Sequence, residues 1–130
     1  MFVVDSCVWI DFYRDRWGRE SSLLRDAIER DNAAVALCGP ILQEVLQGFR
    51  DAPTFSREAR RLQEFTVFET TRWTWLKAAS LFRFLRGKGV SANSFDAVIA
   101  SVCFEQGVPL LTANTRDFAP MAKYAGLKLL

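Results

Sequence analysis

The sequence predicts an α/β fold in which a short parallel sheet, of about four or five strands, is covered by helices on both faces. Short apolar runs, which are typical of buried strands, alternate along the chain with longer segments whose apolar residues recur at helical spacing. The chain has 130 residues, of which 50% are apolar and 25% charged. This length is enough for one domain with its own core and too short for two. We therefore expect a single domain over residues 1–130.

The predicted strands are short, and the first of them begins at the second residue. Phe2–Val4 is wholly apolar, contains two β-branched residues, and leads directly into Asp5. Similar apolar or alternating runs occur at residues 34–37, 65–69 and 108–111. Residues 127–129 are expected to add a last strand at the edge of the sheet.

Helical signals occupy the segments between these strands. We expect helices at residues 8–13, 21–30, 40–49, 54–63, 72–86, 95–106 and 117–124. Ser21 or Ser22 is expected to cap the second helix, and Ser94 the sixth. The fifth helix, from Arg72 to Arg86, is apolar on more than one face, which indicates either a position deep in the core or a contact in a homodimer.

Composition restricts the chemistry that the chain can perform. Histidine is absent, and the three cysteines lie far apart with no C-x-x-C pair. Imidazole is therefore excluded as a general base or metal ligand, and neither a disulfide framework nor a structural zinc site is expected. The remaining oxygen donors suit hard cations such as Mg²⁺ or Mn²⁺.

The net charge and the hydropathy of the chain do not identify a partner. The net charge is +2, from 17 basic and 15 acidic residues, which does not by itself indicate a polyanionic partner. No apolar run approaches the roughly 18 residues of a membrane span, and the first residues lack the features of a signal peptide. We therefore expect a cytoplasmic protein with no membrane partner.

Three acids, Asp5, Asp96 and Asp117, occupy positions that a parallel sheet would bring to one edge, and Glu44 is a fourth candidate. Asp5 and Asp117 each follow a predicted strand, Asp96 lies in the first turn of an apolar helix, and Glu44 lies in the helix after the second strand. Each also has a simpler explanation, as a helix cap, a favourable charge at a helix start or a solvated flank. Clustered carboxylates retain their charges only with help from a cation, and a divalent ion would also activate water for hydrolysis of a phosphodiester.

These residues resemble the motifs of a PIN domain. The motifs are Asp5-Ser6 after an apolar strand, Glu44 in a helix opened by Pro40, the run 94–100 around Asp96, and the run 112–118 around Asp117. Their order and the chain length are similar to those of the VapC-type toxins of bacterial toxin–antitoxin pairs. The resemblance implies a PIN-like three-layer sandwich and a Mg²⁺- or Mn²⁺-dependent endoribonuclease. It also implies a homodimer, for which the helix 72–86 is the candidate contact, and a cognate antitoxin that docks near the site.

The resemblance also implies a role for each residue of the site. Three carboxylates would bind the metal, and these are Asp5, Asp96 and Asp117. Glu44 would complete the catalytic set through a water molecule. The residues that would orient waters and carboxylates are Ser6, Thr112 and Asn114. The arginines are judged from their own chemistry and not from the resemblance: Arg116, beside Asp117, would either contact RNA phosphate or pair with a site acid, and Arg14 is a further candidate for binding RNA. No direct binding of DNA is expected.

Two other functions start from the same residues. An aspartyl phosphatase of the haloacid dehalogenase type also begins with a strand that ends in Asp. It requires the motif Asp-x-Asp, however, and Cys7 stands here in place of the second Asp. An RNA- or protein-binding module of the same fold that had lost its activity would be expected to lack some of the acids, and none of the four is missing.

Overall fold

A four-stranded parallel sheet forms the centre of the computed structural model, which describes residues 1–130. The strands are β1 (Phe2–Val4), β2 (Val35–Cys38), β3 (Thr66–Phe68) and β4 (Leu110–Leu111), in the order β3-β2-β1-β4. Val3 pairs with Ala36 on one side and with Leu110 on the other. The predicted parallel sheet is therefore confirmed, with four strands.

Seven α-helices connect and follow these strands. They are α1 (Ser6–Tyr13), α2 (Arg19–Asp31), α3 (Gly39–Leu46), α4 (Ala52–Leu62), α5 (Arg72–Gly87), α6 (Ser94–Gln106) and α7 (Thr115–Ala125). Helices α1 to α4 connect strands that follow one another in one direction across the sheet, whereas α5 and α6 lead back to β4. Because parallel crossovers are right-handed, the two groups cover opposite faces, which gives the predicted three-layer sandwich.

The strands have apolar sequences because both faces of the sheet are covered. All four residues of β2 and both residues of β4 are buried, as expected for continuous apolar strands in a parallel sheet. Trp9 of α1 and Phe118 of α7 are the largest side chains that are almost completely buried. Because α7 packs against α5 and α6, each face of the sheet receives a large aromatic ring.

The direction of the strand connections reverses at β1, which has β2 on one side and β4 on the other. In open parallel sheets a crevice forms at such a reversal, beyond the carboxyl ends of the strands. Asp5 follows β1, and Thr112 follows β4. The backbone N–H of Asp5 donates to the carbonyl of Leu111 at 2.9 Å. The fold therefore brings residues from the two ends of the chain to the edge of this crevice.

Several helix starts and the last strand differ from the prediction, and helices α1, α4 and α7 each begin two residues earlier than expected. Helix α6 begins at Ser94 and is capped by Asn93, whose side-chain oxygen accepts a backbone N–H at 2.8 Å. Helix α2 begins at Arg19 after the cap residue Gly18, so that Ser21 lies in the first turn, where its hydroxyl oxygen accepts the backbone N–H of Gly18 at 3.0 Å. Residues 127–129 form no strand, because only Leu129 makes a bridge to β4. Neighbouring residues with similar capping ability leave the exact cap undetermined in the sequence.

Helix α5 is not buried deep in the core. Trp73 is 62% exposed, Trp75 49% and Leu76 56%. The opposite side of the helix packs inward through Ala78 and Leu85, which are buried. The apolar residues on more than one face therefore leave an exposed apolar surface on the chain. None of the helices combines the length and the apolar character that crossing a membrane would require.

Candidate active site

A polar cleft of about 340 Å³ opens beyond the carboxyl ends of β1 and β4. Most of the residues that the sequence singled out contribute to its wall, and these are Asp5, Ser6, Glu44, Asp96, Asn114 and Asp117. All four predicted acids thus share one cleft, although they come from four separate parts of the chain. Thr112 lies beneath the wall and is buried.

Asp5 is the most firmly held of the four acids. It is only 4% exposed. Its Oδ1 accepts the backbone N–H of Ser6 at 2.8 Å, and its Oδ2 accepts the hydroxyl of Thr112 at 2.7 Å and the thiol of Cys7 at 3.4 Å. Burial raises the pKa of Asp5, and the three hydrogen bonds oppose that rise. Asp5 also caps α1, so its simpler explanation as a helix cap is correct and is compatible with a position in the cleft.

Asp96 experiences the charges of the other three acids. It lies in the first turn of α6 and is partly buried. Its pKa is raised to about 6, first by burial and then by repulsion from Asp5, Asp117 and Glu44. The cleft therefore concentrates negative charge at Asp96, and a cation bound there would relieve the repulsion.

Glu44 and Asp117 are exposed and are each held by one neighbour. The hydroxyl of Ser6 donates to Oε2 of Glu44 at 2.8 Å, and the side-chain amide of Asn114 donates to Oδ2 of Asp117 at 2.7 Å.

Thr112 connects this hydrogen-bonded network to the buried acid. It donates to Asp5, and its hydroxyl oxygen accepts the backbone N–H of Asn114 at 2.9 Å. Each of the three residues expected to orient carboxylates, Ser6, Thr112 and Asn114, therefore donates a side-chain hydrogen bond to a different acid.

The donors in the cleft fit a hard divalent cation. They are carboxylate and other oxygen atoms, and the raised pKa of Asp96 reflects repulsion that a positive charge would remove. In the orientation that the side chains hold, no three acids or cysteines are arranged around a common position that would bind one ion. Because Asp117 is exposed, a change of its rotamer is open to it and could bring its carboxylate toward Asp5 and Asp96.

Sequence reasoning did not single out three polar residues of the cleft, namely Gln43, Gln47 and Asn93. Gln43 and Gln47 lie four residues apart, on either side of Glu44, and this spacing on α3 was a signal for a shared face. The two arginines proposed to bind RNA lie outside the cleft. Arg116 lines an adjoining one, and Arg14 is exposed at the far end of α1, away from Ser6.

A parallel sheet with four acids in the crevice at its reversal point defines the protein as a small α/β protein with an acidic cleft. The PIN domain family matches residues 2–124, and the chain belongs to this family. It is similar to Ribonuclease VapC11 of Mycobacterium tuberculosis, with 24% identity over 132 aligned residues that cover 98% of this chain and 96% of that protein. VapC ribonuclease Mb1587 of Mycobacterium bovis matches with the same identity and coverage.

Solved structures show the same fold. A chain of VapBC-1 from nontypeable Haemophilus influenzae is similar with a TM-score of 0.78 and 15% identity, over 99% of this chain and 96% of that one. A chain of a toxin–antitoxin complex from Klebsiella pneumoniae is similar with a TM-score of 0.73 and 21% identity, over 92% and 91% of the two chains. These comparisons confirm the PIN-like sandwich.

Proposed function

We propose that this protein is the endoribonuclease toxin of a toxin–antitoxin pair, and that it hydrolyses RNA phosphodiesters with Mg²⁺ or Mn²⁺ as cofactor. The observation that carries the proposal is the convergence of Asp5, Glu44, Asp96 and Asp117 in one cleft. Membership of the PIN domain family and the similarity to proteins named VapC ribonuclease support the same activity.

The four acids would divide the work according to how each is held. Asp5, Asp96 and Asp117 would bind the metal ion, which when bound polarises a phosphoryl oxygen and lowers the pKa of water. Asp5 would be the fixed ligand because three donors hold its carboxylate. Glu44, fixed by Ser6 at the rim, would orient a water molecule toward the phosphate.

Loss of single acids tests this activity. Asp5→Asn and Asp96→Asn should each abolish cleavage of RNA and growth inhibition on induced expression. Asp26→Asn on α2, an exposed acid outside the cleft, is the matched control and should cleave normally. Excess EDTA should suppress cleavage, and added Mg²⁺ or Mn²⁺ should restore it. Cleavage that persists in either acid variant, or in EDTA, would rule out the proposed mechanism.

We also propose that the protein acts in the cytoplasm with a cognate antitoxin. One solved structure of the same fold is a chain of a toxin–antitoxin complex, which supports such a partner. A small neighbouring reading frame that encodes a DNA-binding protein would be the candidate. Co-expression of that protein should suppress growth inhibition, and a candidate that fails to bind this chain is not its antitoxin.

A homodimer through α5 is the second proposed assembly. Its basis is the exposed apolar surface of α5, which continues into a groove between α5 and α6 lined by Trp75, Phe82 and Val98. Leu76→Glu would place a charge on that surface and should convert a dimer into a monomer, measured by light scattering. Phe55→Glu, a similarly exposed apolar residue on α4, is the control and should leave the mass unchanged.

A further inference from the structure

A second polar cleft, of about 440 Å³, adjoins the acidic one. It lies between the loop before α6 and the first turn of α7, and its polar residues are Ser91, Asn93, Arg116 and Asp117. Asn93 and Asp117 also line the acidic cleft, so the two clefts share a wall. An extended ligand bound at the acids can therefore continue into the second cleft without leaving the surface.

Arg116 is the only cationic residue in the wall of either cleft. It is exposed, and its guanidinium makes no salt bridge and no side-chain hydrogen bond. Its neighbour Asp117 is bonded to the amide of Asn114 at 2.7 Å instead. Of the two roles that the sequence left open for Arg116, pairing with a site acid is thus not observed, and its charge remains available to a ligand.

We propose that Arg116 binds, in this adjoining cleft, an RNA phosphate that flanks the one at the acids. This proposal rests on the proposed ribonuclease function and identifies the backbone subsite that such an enzyme would use. Four acids repel a polyanion, and a guanidinium beside them offsets that repulsion with a bidentate contact to phosphate oxygens. Because the contact is to the backbone, it positions RNA of any sequence.

Two neutral side chains complete the subsite. Asn93 uses its side-chain oxygen to cap α6, accepting N–H groups from Phe95 at 2.8 Å and Asp96 at 3.4 Å, which leaves its amide hydrogens available as donors. Ser91 is exposed in the same wall and carries a hydroxyl. Both are suited to hydrogen-bond a phosphate that Arg116 holds.

Cleavage kinetics of a short single-stranded RNA at several salt concentrations test the subsite. Arg116→Gln should raise KM about tenfold and change kcat less than about twofold, because the contact is made before and during the reaction alike. The slope of log(kcat/KM) against log salt should decrease by about 0.7, the value for one phosphate contact on a single strand. Arg60→Gln, an exposed arginine on α4, is the matched control and should change neither quantity.

Neutral methylphosphonate linkages identify the phosphate. Each RNA carries one such linkage at a different position. The linkage that replaces the phosphate contacted by Arg116 should raise KM for the wild-type protein but not for Arg116→Gln. Equal effects of every linkage on both proteins, or an unchanged salt slope in Arg116→Gln, would overturn the proposal. A conserved melting temperature in Arg116→Gln would show that the variant is folded.

Binding measured without cleavage separates the subsite from the activity. Fluorescence anisotropy with labelled RNA and the Asp96→Asn protein compares the Kd with and without Arg116→Gln. If wild-type protein cleaves RNA and Arg116→Gln behaves like wild type, the subsite is refuted and the activity stands. If no cleavage occurs but binding depends on Arg116, the activity is refuted and the subsite stands. If the protein neither binds nor cleaves RNA, both are refuted.

Discussion

Asp96→Asn should make the metal-free protein more stable at neutral pH, even though it should abolish the proposed ribonuclease activity. The ionised carboxylate is partly buried and is repelled by Asp5, Asp117 and Glu44. An amide has nearly the same shape and no charge, so the substitution removes the repulsion and leaves the packing of α6 intact. A residue that serves only the fold would show the opposite result, because its loss would destabilise the protein.

The magnitude follows from the pKa of Asp96, which rises from its ordinary value of 3.8 to about 6. The folded state holds this proton more tightly, so the resulting stability is complete below about pH 4 and is lost as the pH rises through about 6. At about 1.36 kcal/mol for each pH unit, the full difference is about 3 kcal/mol. Solvent screening of a side chain that is only partly buried reduces this to about 1.5 kcal/mol, or about 4–6 °C in melting temperature.

Thermal unfolding in EDTA at pH 4.5 and pH 7.5 measures the effect. Asp96→Asn should melt above the wild type at pH 7.5 and close to it at pH 4.5, and the control Asp26→Asn should follow the wild type at both. Added Mg²⁺ should raise the melting temperature of the wild type more than that of Asp96→Asn. The reasoning is refuted if Asp96→Asn is less stable than the wild type at pH 7.5, or if their difference does not depend on pH.

Three further variants test individual contacts. Thr112→Val removes the hydroxyl at 2.7 Å from Asp5 and should reduce the rate of RNA cleavage about 10- to 100-fold. Thr112→Ser keeps a hydroxyl and should retain most of the activity. Equal cleavage rates for the two variants would contradict the role of the hydroxyl. Burial raises the pKa of Cys7 to about 11, so alkylation of its thiol by iodoacetamide, followed by mass spectrometry, should accelerate with pH between 7 and 9. The alkylated protein should no longer cleave RNA. Inhibition by iodoacetamide that persists in Cys7→Ser would show that Cys7 is not the site responsible. Tyr13→Phe deprives buried Glu58 of a donor at 2.9 Å. It should lower the free energy of unfolding, measured by urea titration, by about 1.5–3 kcal/mol. An unchanged free energy of unfolding would contradict the contribution of this hydrogen bond.

The sequence was sufficient to predict the sheet and the approximate place of each acid. Apolar runs such as Phe2–Val4 indicate strands locally, and a parallel sheet aligns the carboxyl ends of such runs at one edge. Their position in that sheet selected Asp5, Asp96 and Asp117 from the 15 acidic residues, and the resemblance to PIN domains then predicted that they bind a metal ion.

Other features depend on contacts between distant parts of the chain. Ser6 and Glu44 are 38 positions apart, and only the packing of α1 beside α3 brings the hydroxyl to the carboxylate. The sequence left open whether Arg116 pairs with a site acid, because the amide of Asn114 can bond to Asp117 instead. The exposure of Trp75 on α5 likewise depends on which neighbours cover the helix, and an apolar sequence is compatible with burial in a core or in an interface.

The pairing of β1 with β4 has a consequence for the order of events during synthesis. Val3 pairs with Leu110, and Asp5 receives its hydrogen bond from Thr112, 107 positions later. Translation proceeds from the N-terminus, so a nascent chain lacks this neighbour for its first strand until residues 110–112 have been added. The cleft is therefore complete only after β4 has left the ribosome, so the four acids cannot act together while the earlier part of the chain is still being synthesised.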